Sequence, residues 1–229
     1  MKRMISATAL AAVLGLGGFW ALERIGAPAS PEFDLPGAAQ AQDDSEDAAP
    51  TGTVQEMVLG AEDAPVEVIE YASYTCPHCA SFHENVFDRI KENYVETGQV
   101  KFVYREVYFD KYGMWASLVA RCGGNTDRFF GITDMIYETQ SEWARAGSDA
   151  AIADGLRKIG KVAGLDDSQL EACLTDGDQL RSLVEWYQEN AEADGIRSTP
   201  SFMIDGELHS NMNYDDFAEI LDEKIAAAE

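Results

Sequence analysis

The apolar positions of this chain change period along its length, and the changes mark out its elements. Val66 to Ala72 reads as a buried strand, and Val54 to Leu59 as a shorter edge strand before it. Cys79, Phe82, Val86 and Ile90 then recur at helical spacing, and Gly98 stops that helix ahead of another strand, Val100 to Val107. A strand, a helix and a strand in this order predict a parallel pair with a right-handed crossover. From about 112 to 194 the pattern is helical, punctuated by Gly123-Gly124, Gly147 and Gly164. Strand signals return at Ser201, where Phe202 to Ile204 and Leu208 to Ser210 flank Asp205-Gly206, a two-residue hairpin signal. Asn213 caps a final helix whose apolar face carries Phe217, Ile220 and Leu221, while Asp215 and Asp216 suit its positive start. The predicted order is β-α-β, a helical block, then β-β-α, with no internal repeat. That is an α/β fold interrupted by an inserted α-helical domain.

The N-terminus lies outside this pattern. Met1-Lys2-Arg3 precedes Met4 to Leu22, which carries no charge, and Glu23-Arg24 follows. This is an export signal, read either as a cleaved peptide or as an anchor holding the chain to a membrane through residues 4–22. Ala27-Pro28-Ala29 and Ala39-Gln40-Ala41 each fit a small-x-small cleavage pattern. Residues 27–52 are rich in Ala, Pro, Gly, Asp and Glu and nearly devoid of large apolar side chains, so they read as a disordered tether. The organisation predicted is therefore 1–26 signal or anchor, 27–52 linker, 53–111 first part of the α/β domain, 112–190 helical insertion and 191–229 its second part. Composition adds an exclusion. With 17 Lys and Arg against 41 Asp and Glu, the net charge is -24, which repels nucleic-acid backbones and anionic lipid surfaces.

The candidate chemistry is Cys76-Pro77-His78-Cys79, placed directly after the strand and at the first turn of the helix. Pro77 sits where a missing N–H costs nothing. Cys76 faces the unpaired backbone donors of the helix start, and a protonated His78 would add positive charge, so its thiol is expected to ionise easily. A stabilised thiolate is a good leaving group and makes the corresponding disulfide oxidising. A lone C-x-x-C also fits a structural disulfide or half a zinc site. The zinc reading would recruit His83, four residues after Cys79, but no second C-x-x-C or paired His completes a ligand set. His83 is otherwise read as a packed or exposed helix residue.

The segment Glu70-Tyr71-Ala72-Ser73-Tyr74-Thr75-Cys76-Pro77-His78-Cys79 resembles the active-site segment of the DsbA family of thiol-disulfide oxidoreductases, and the Pro-His dipeptide is that family's mark. The resemblance extends over residues 54–229. It implies a thioredoxin-like fold with a helical insertion, no cofactor beyond the Cys76–Cys79 disulfide, and periplasmic oxidation of unfolded exported proteins that carry free thiols. It also implies recharging by a quinone-coupled thiol oxidase in the membrane, of the DsbB kind; a monomer is expected, and no bound metal. Cys76 takes the role of exposed nucleophile and Cys79 that of buried partner. Pro200 falls on the cis-proline loop that faces the disulfide, leaving Thr199 to pair with substrate backbone. Thr at that position departs from the Val of the best-known members and recurs in isomerase-type relatives. A disulfide isomerase or reductase kept reduced by a membrane donor is therefore one alternative, and a Cys/His metal-binding module is another. Isomerases of the lineage usually carry an N-terminal dimerisation domain, for which 27–52 is too short and polar.

Several further positions follow from pattern. Glu70 shares its strand face with Val66 and Val68, so it points into apolar surroundings, where a carboxylate could accept the proton of Cys79; a solvated strand end is the other reading. The family has an acid at the matching position. Cys122 and Cys173 lie on apolar helix faces, and in an exported chain they are expected to pair and staple the insertion, with two free buried thiols as the alternative. Trp115, Phe129, Phe130 and Trp143 fit either the core or a substrate groove.

Overall fold

The structure is a computed structural model that describes residues 54–228. The predicted export segment 1–26 and tether 27–52 lie outside them. Strands β1 (Met57–Leu59), β2 (Val66–Ala72), β3 (Val100–Glu106), β4 (Ser201–Ile204) and β5 (Glu207–Ser210) form one sheet in the order β1-β3-β2-β4-β5. Only β2 and β3 run parallel; the other neighbours are antiparallel. This is the thioredoxin-like arrangement with a helical insertion between β3 and β4. Central β2 is covered on both faces towards its C-terminal end, so its alternation gives way to continuous burial from Glu70 to Ala72.

β1 is shorter than the run from Val54 to Leu59, and β3 stops one residue before Val107, whose N–H bonds to the Ala72 carbonyl at 2.8 Å as the chain leaves the ladder. The β4–β5 turn has positive φ at both Asp205 and Gly206, as a tight two-residue hairpin with the right-handed strand twist requires. The helical stretch after the Cys-Pro-His-Cys motif is less regular than its periodicity implies. It is α-helical over α1 (Pro77–Phe82) and α2 (Asp88–Ile90), with wider π turns over His83–Phe87 and Lys91–Val95. Such turns re-aim side chains relative to a straight helix.

The insertion comprises α3 (Lys111–Arg121), α4 (Thr126–Glu138), α5 (Gln140–Trp143), α6 (Asp149–Val162), α7 (Asp167–Leu174) and α8 (Gly177–Ala193). Side chains of Asp110, Asn125, Ser148, Asp166 and Asp176 cap five of these starts, each accepting from a backbone N–H. Cys122 and Cys173 are joined by a disulfide with S–S 2.06 Å, which ties the end of α3 to α7. Closing that loop stabilises the fold by about 4 kcal/mol on the loop-entropy account. Trp115, Phe129, Phe130 and Trp143 are all buried within one continuous core, so packing rather than a substrate groove explains them. The chain ends in α9 (Tyr214–Ala228), which Asn213 caps by accepting from the N–H groups of Asp215 and Asp216; Ile220 is only half-buried, and Ile225 joins Phe217 and Leu221 inside. No helix among the described residues is long and apolar enough to cross a membrane.

Candidate active site

Cys76 occupies the N-cap position of α1 with extended backbone, and Pro77 follows as the first helical residue. Both motif cysteines are free thiols; Cys76 is partly exposed and Cys79 is buried. The Cys76 thiol is lowered to about 5. The largest cause is the hydrogen bond from the Cys79 thiol, which outweighs the opposing effect of partial burial, and Thr199 and the backbone N–H groups of Cys79 and His78 add to it. The exposed His78 is thus one of the contributors through its backbone N–H. The directed donors expected of the helix start are present at hydrogen-bond range of the sulfur.

Opposite Cys76, the Thr199–Pro200 bond is cis. The Cys76 Sγ lies 3.4 Å from the Thr199 carbonyl oxygen, to which the thiol donates. The Thr199 hydroxyl is buried and has no other partner in the fold, so it is free to turn toward the sulfur. Beneath the motif, burial pushes the Cys79 thiol far up, reinforced by its hydrogen bond to Cys76 and by the negative charge of Glu70. Two thiols three residues apart are therefore driven in opposite directions, the outer one toward thiolate and the inner one toward thiol.

Glu70 is fully buried in β2, between Tyr104 of β3 and Phe202 of β4 in the ladder, so the solvated strand end does not apply. Its Oε2 is 3.0 Å from His83 Nε2. His83 is therefore buried and bonded through Nε2 to a carboxylate, not exposed on its helix. Among the described residues no cluster of three or more His, Cys, Asp or Glu is arranged to hold a metal ion.

Two residues that sequence pattern did not single out fix the motif from the insertion side. Gln140 at the start of α5 donates its side-chain amide to the Tyr74 carbonyl at 2.8 Å and to the Cys76 carbonyl at 2.9 Å. Asp110, at the cap of α3, accepts from the Thr75 hydroxyl at 2.7 Å with one oxygen and from the Tyr112 and Gly113 N–H groups with the other. The residues on both sides of Thr75 are thereby held by helices from a segment more than thirty positions away, and no local signal announces this.

Comparison with known proteins agrees with this geometry. The family model described as thioredoxin matches residues 52–223. A Rickettsia bellii protein, provisionally named a protein-disulfide oxidoreductase, is 31% identical over 170 residues, covering 74% of this chain. The chain spans 64% of that relative's length, less than two thirds. Disulfide bond formation protein D of Bacillus subtilis is 27% identical over 178 residues, covering 73% of this chain and 76% of its own. Among solved structures, Wolbachia pipientis alpha-DsbA1 superposes with a TM-score of 0.71 at 24% identity, over 78% of this chain and 95% of that one, a likeness of fold.

Proposed function

This chain belongs to the thioredoxin family in its DsbA-like form, and from that premise we propose that it is a periplasmic dithiol oxidase, which introduces disulfides into exported proteins through Cys76 and Cys79. The observation that carries this reading is the pairing of a Cys76 thiol lowered to about 5 with a buried Cys79 whose ionisation burial opposes. At neutral pH the reduced protein rests as a Cys76 thiolate, and stabilising that state makes the Cys76–Cys79 disulfide a strong oxidant.

In the proposed cycle a substrate thiolate attacks Cys76 Sγ of the oxidised chain. The Cys76–Cys79 bond breaks, a mixed disulfide forms, and the departing Cys79 sulfur takes up a proton. A second substrate thiolate then attacks the substrate sulfur, forming the substrate disulfide and expelling Cys76 as its stabilised thiolate. Thr199, beside the sulfur on the cis-proline loop, would align an extended substrate backbone. Glu70 would exchange the proton of Cys79, and a quinone-coupled thiol oxidase in the membrane would take the two electrons back. Export follows from Lys2-Arg3 and the uncharged run from Met4 to Leu22.

Thr199 keeps an isomerase or reductase as the second reading. The equilibrium of the Cys76/Cys79 couple with glutathione separates the two. An oxidase is expected to have a reduction potential above about -180 mV; a value below about -250 mV, in the thioredoxin range, would replace the oxidase by the reductase.

A further inference from the structure

The Cys76 sulfur is held from two sides that belong to different parts of the chain. The Cys79 thiol and the backbone N–H groups of Cys79 and His78 reach it from its own helix, whereas Thr199 reaches it from the loop 195–200 between α8 and β4. The helix donors come with the motif, because they are its neighbours in sequence. The Thr199 contact does not. It joins residues 123 positions apart, so its length depends on where that loop is fixed.

Tyr71 fixes the loop at both ends. Its backbone pairs with Ser201 in the β2–β4 ladder, which sets the end next to Pro200. Its hydroxyl donates to Asp194 Oδ2 at 2.5 Å, with the Asn190 carbonyl farther off at 3.4 Å, which sets the end at the close of α8. Asp194 is where the helix turns away: Gly195 has positive φ, and the Ile196 N–H bonds back to the Ala191 carbonyl at 2.8 Å. Tyr71 stands five positions before Cys76, and Asp194 five before Thr199. The bond between them therefore spans the roots of two arms of equal length whose tips meet at the sulfur. The Tyr71 ring is fully buried and, by strand alternation, lies on the opposite face of the sheet from Glu70. Arg105, its partner in β3, aims the hydroxyl: Nη1 donates to it at 2.7 Å, so the single hydroxyl proton is left for Asp194. The guanidinium is in turn held by Glu56, whose Oε1 accepts from Nε at 2.8 Å, and it lies 5.5 Å from the Trp186 ring of α8. Burial, reinforced by Asp194, pushes the Tyr71 phenol up, so the hydroxyl keeps this proton wherever the cysteines react.

We propose that Tyr71 is a positioning residue: with Asp194 it braces the root of the Thr199 loop and so keeps Thr199 against Cys76, which tunes the oxidising strength of the Cys76/Cys79 couple from the far face of the sheet. The inference rests on the dithiol oxidase reading, in which the reduced chain rests as a Cys76 thiolate. Without the hydroxyl, the Ser201 pairing remains but Asp194 keeps only the longer Arg105 contact, at 3.4 Å, and the loop can swing about its β4 end. What is lost is the Thr199 contact alone, since the donors on α1 stay in place. The thiolate is then held less well, and its ionisation moves part of the way back toward 9.0. A direct electrostatic effect of Asp194 has the opposite sign, because removing a carboxylate makes a thiolate easier to form.

The test titrates the reduced full chain by thiolate absorbance and equilibrates it with glutathione, in the wild type and in Tyr71→Phe, Asp194→Ala, Asp194→Asn and Tyr71→Phe/Asp194→Ala. Tyr71→Phe and Asp194→Ala are each expected to raise the Cys76 midpoint by about one pH unit and to shift the glutathione equilibrium about tenfold toward the protein disulfide, the effect of loosening one hydrogen bond to a charged sulfur. Asn keeps an oxygen that accepts from Tyr71, so Asp194→Asn is expected to stay within about twofold of the wild-type equilibrium. The double variant is expected to go no further than either single one, because both remove the same bond. A purely structural pair would lower the melting temperature and leave midpoint and equilibrium in place. A folded Tyr71→Phe with the wild-type midpoint, or an Asp194→Ala whose midpoint falls, overturns the brace and leaves the oxidase intact. If Tyr71→Phe does not fold, Asp194→Ala against Asp194→Asn decides, since that side chain is partly exposed at a helix end. A wild-type chain whose Cys76 ionises at the ordinary value of 9.0 overturns the oxidase, and the brace with it.

Discussion

Replacing Cys76 with Ser is expected to reduce disulfide transfer to a model dithiol peptide by about 1000-fold or more, the scale of loss when a covalent mechanism is deprived of its nucleophile. The residue is half-buried, so Ser fits its space and folding should survive. Cys79→Ser is expected to fail differently. Cys76 remains reactive: its thiolate attacks oxidised glutathione, releases one glutathione thiolate and keeps the other half as a mixed disulfide, which no inner sulfur can displace and which accumulates as an adduct visible by intact mass. The contrast follows from position: Cys76 meets solvent and the Thr199 carbonyl, while Cys79 faces only the core beneath it. Equal behaviour of the two variants would contradict the division of roles.

Arg121→Ala should be the most destabilising single change in the insertion. Arg121 Nε and Nη2 donate to the two oxygens of Glu106 at 2.6 and 2.7 Å, and Nη1 donates to the Gln55 carbonyl at 2.9 Å. Ser117 also donates to Glu106, at 2.9 Å. Both charged groups are almost wholly removed from water, and the pair ties the end of β3 to α3, where the insertion begins. Removing the guanidinium leaves a buried carboxylate without its counter-ion, which costs about 3–5 kcal/mol. Urea unfolding should show the corresponding fall in midpoint. Replacing both partners, Glu106→Leu with Arg121→Leu, should recover most of the loss, because no buried charge is then left unpaired. A double variant as unstable as Arg121→Ala would mean that the network stabilises through geometry that the apolar pair cannot reproduce.

Much of this fold was legible from local pattern. The burial of β2, the strand-to-helix setting of Cys76, the Asp205-Gly206 hairpin and the Asn213 cap all depend on neighbours within a few positions. Periodicity and turn chemistry report such relations directly. Glu70 was readable for the same reason, since strand alternation places it with Val66 and Val68. The parts that were not legible depend on the docking of distant elements. Gln140 reaches the Tyr74 and Cys76 carbonyls only because α5 packs over the motif, and nothing in its own surroundings marks it. His83 gave a partial signal, its spacing of four from Cys79, which indicates the side of the helix but not the carboxylate waiting there. The π turns are also hidden, because a wider turn of five residues perturbs an apolar stripe too little to be read.

The Cys76 site combines contacts that its place at a helix start implies with contacts that it does not. The Pro-His dipeptide marks the motif, yet the described geometry holds the Cys76 thiolate through the Cys79 thiol, Thr199 and two backbone N–H groups. A lowered thiol pKa also sets a pH dependence. For the reduced protein, folding stability contributed by Cys76 is fully present above the ordinary thiol value of 9.0, declines as the pH falls, and is lost as it passes through about 5.

The ultraviolet absorbance of the thiolate in the reduced protein, followed against pH with Cys76→Ser as the blank, is therefore the direct measure of this account. A single ionisation with a midpoint near pH 5, absent from the blank, is the predicted result, with Cys79 silent over the same range. A midpoint at the ordinary thiol value of 9.0 would contradict it.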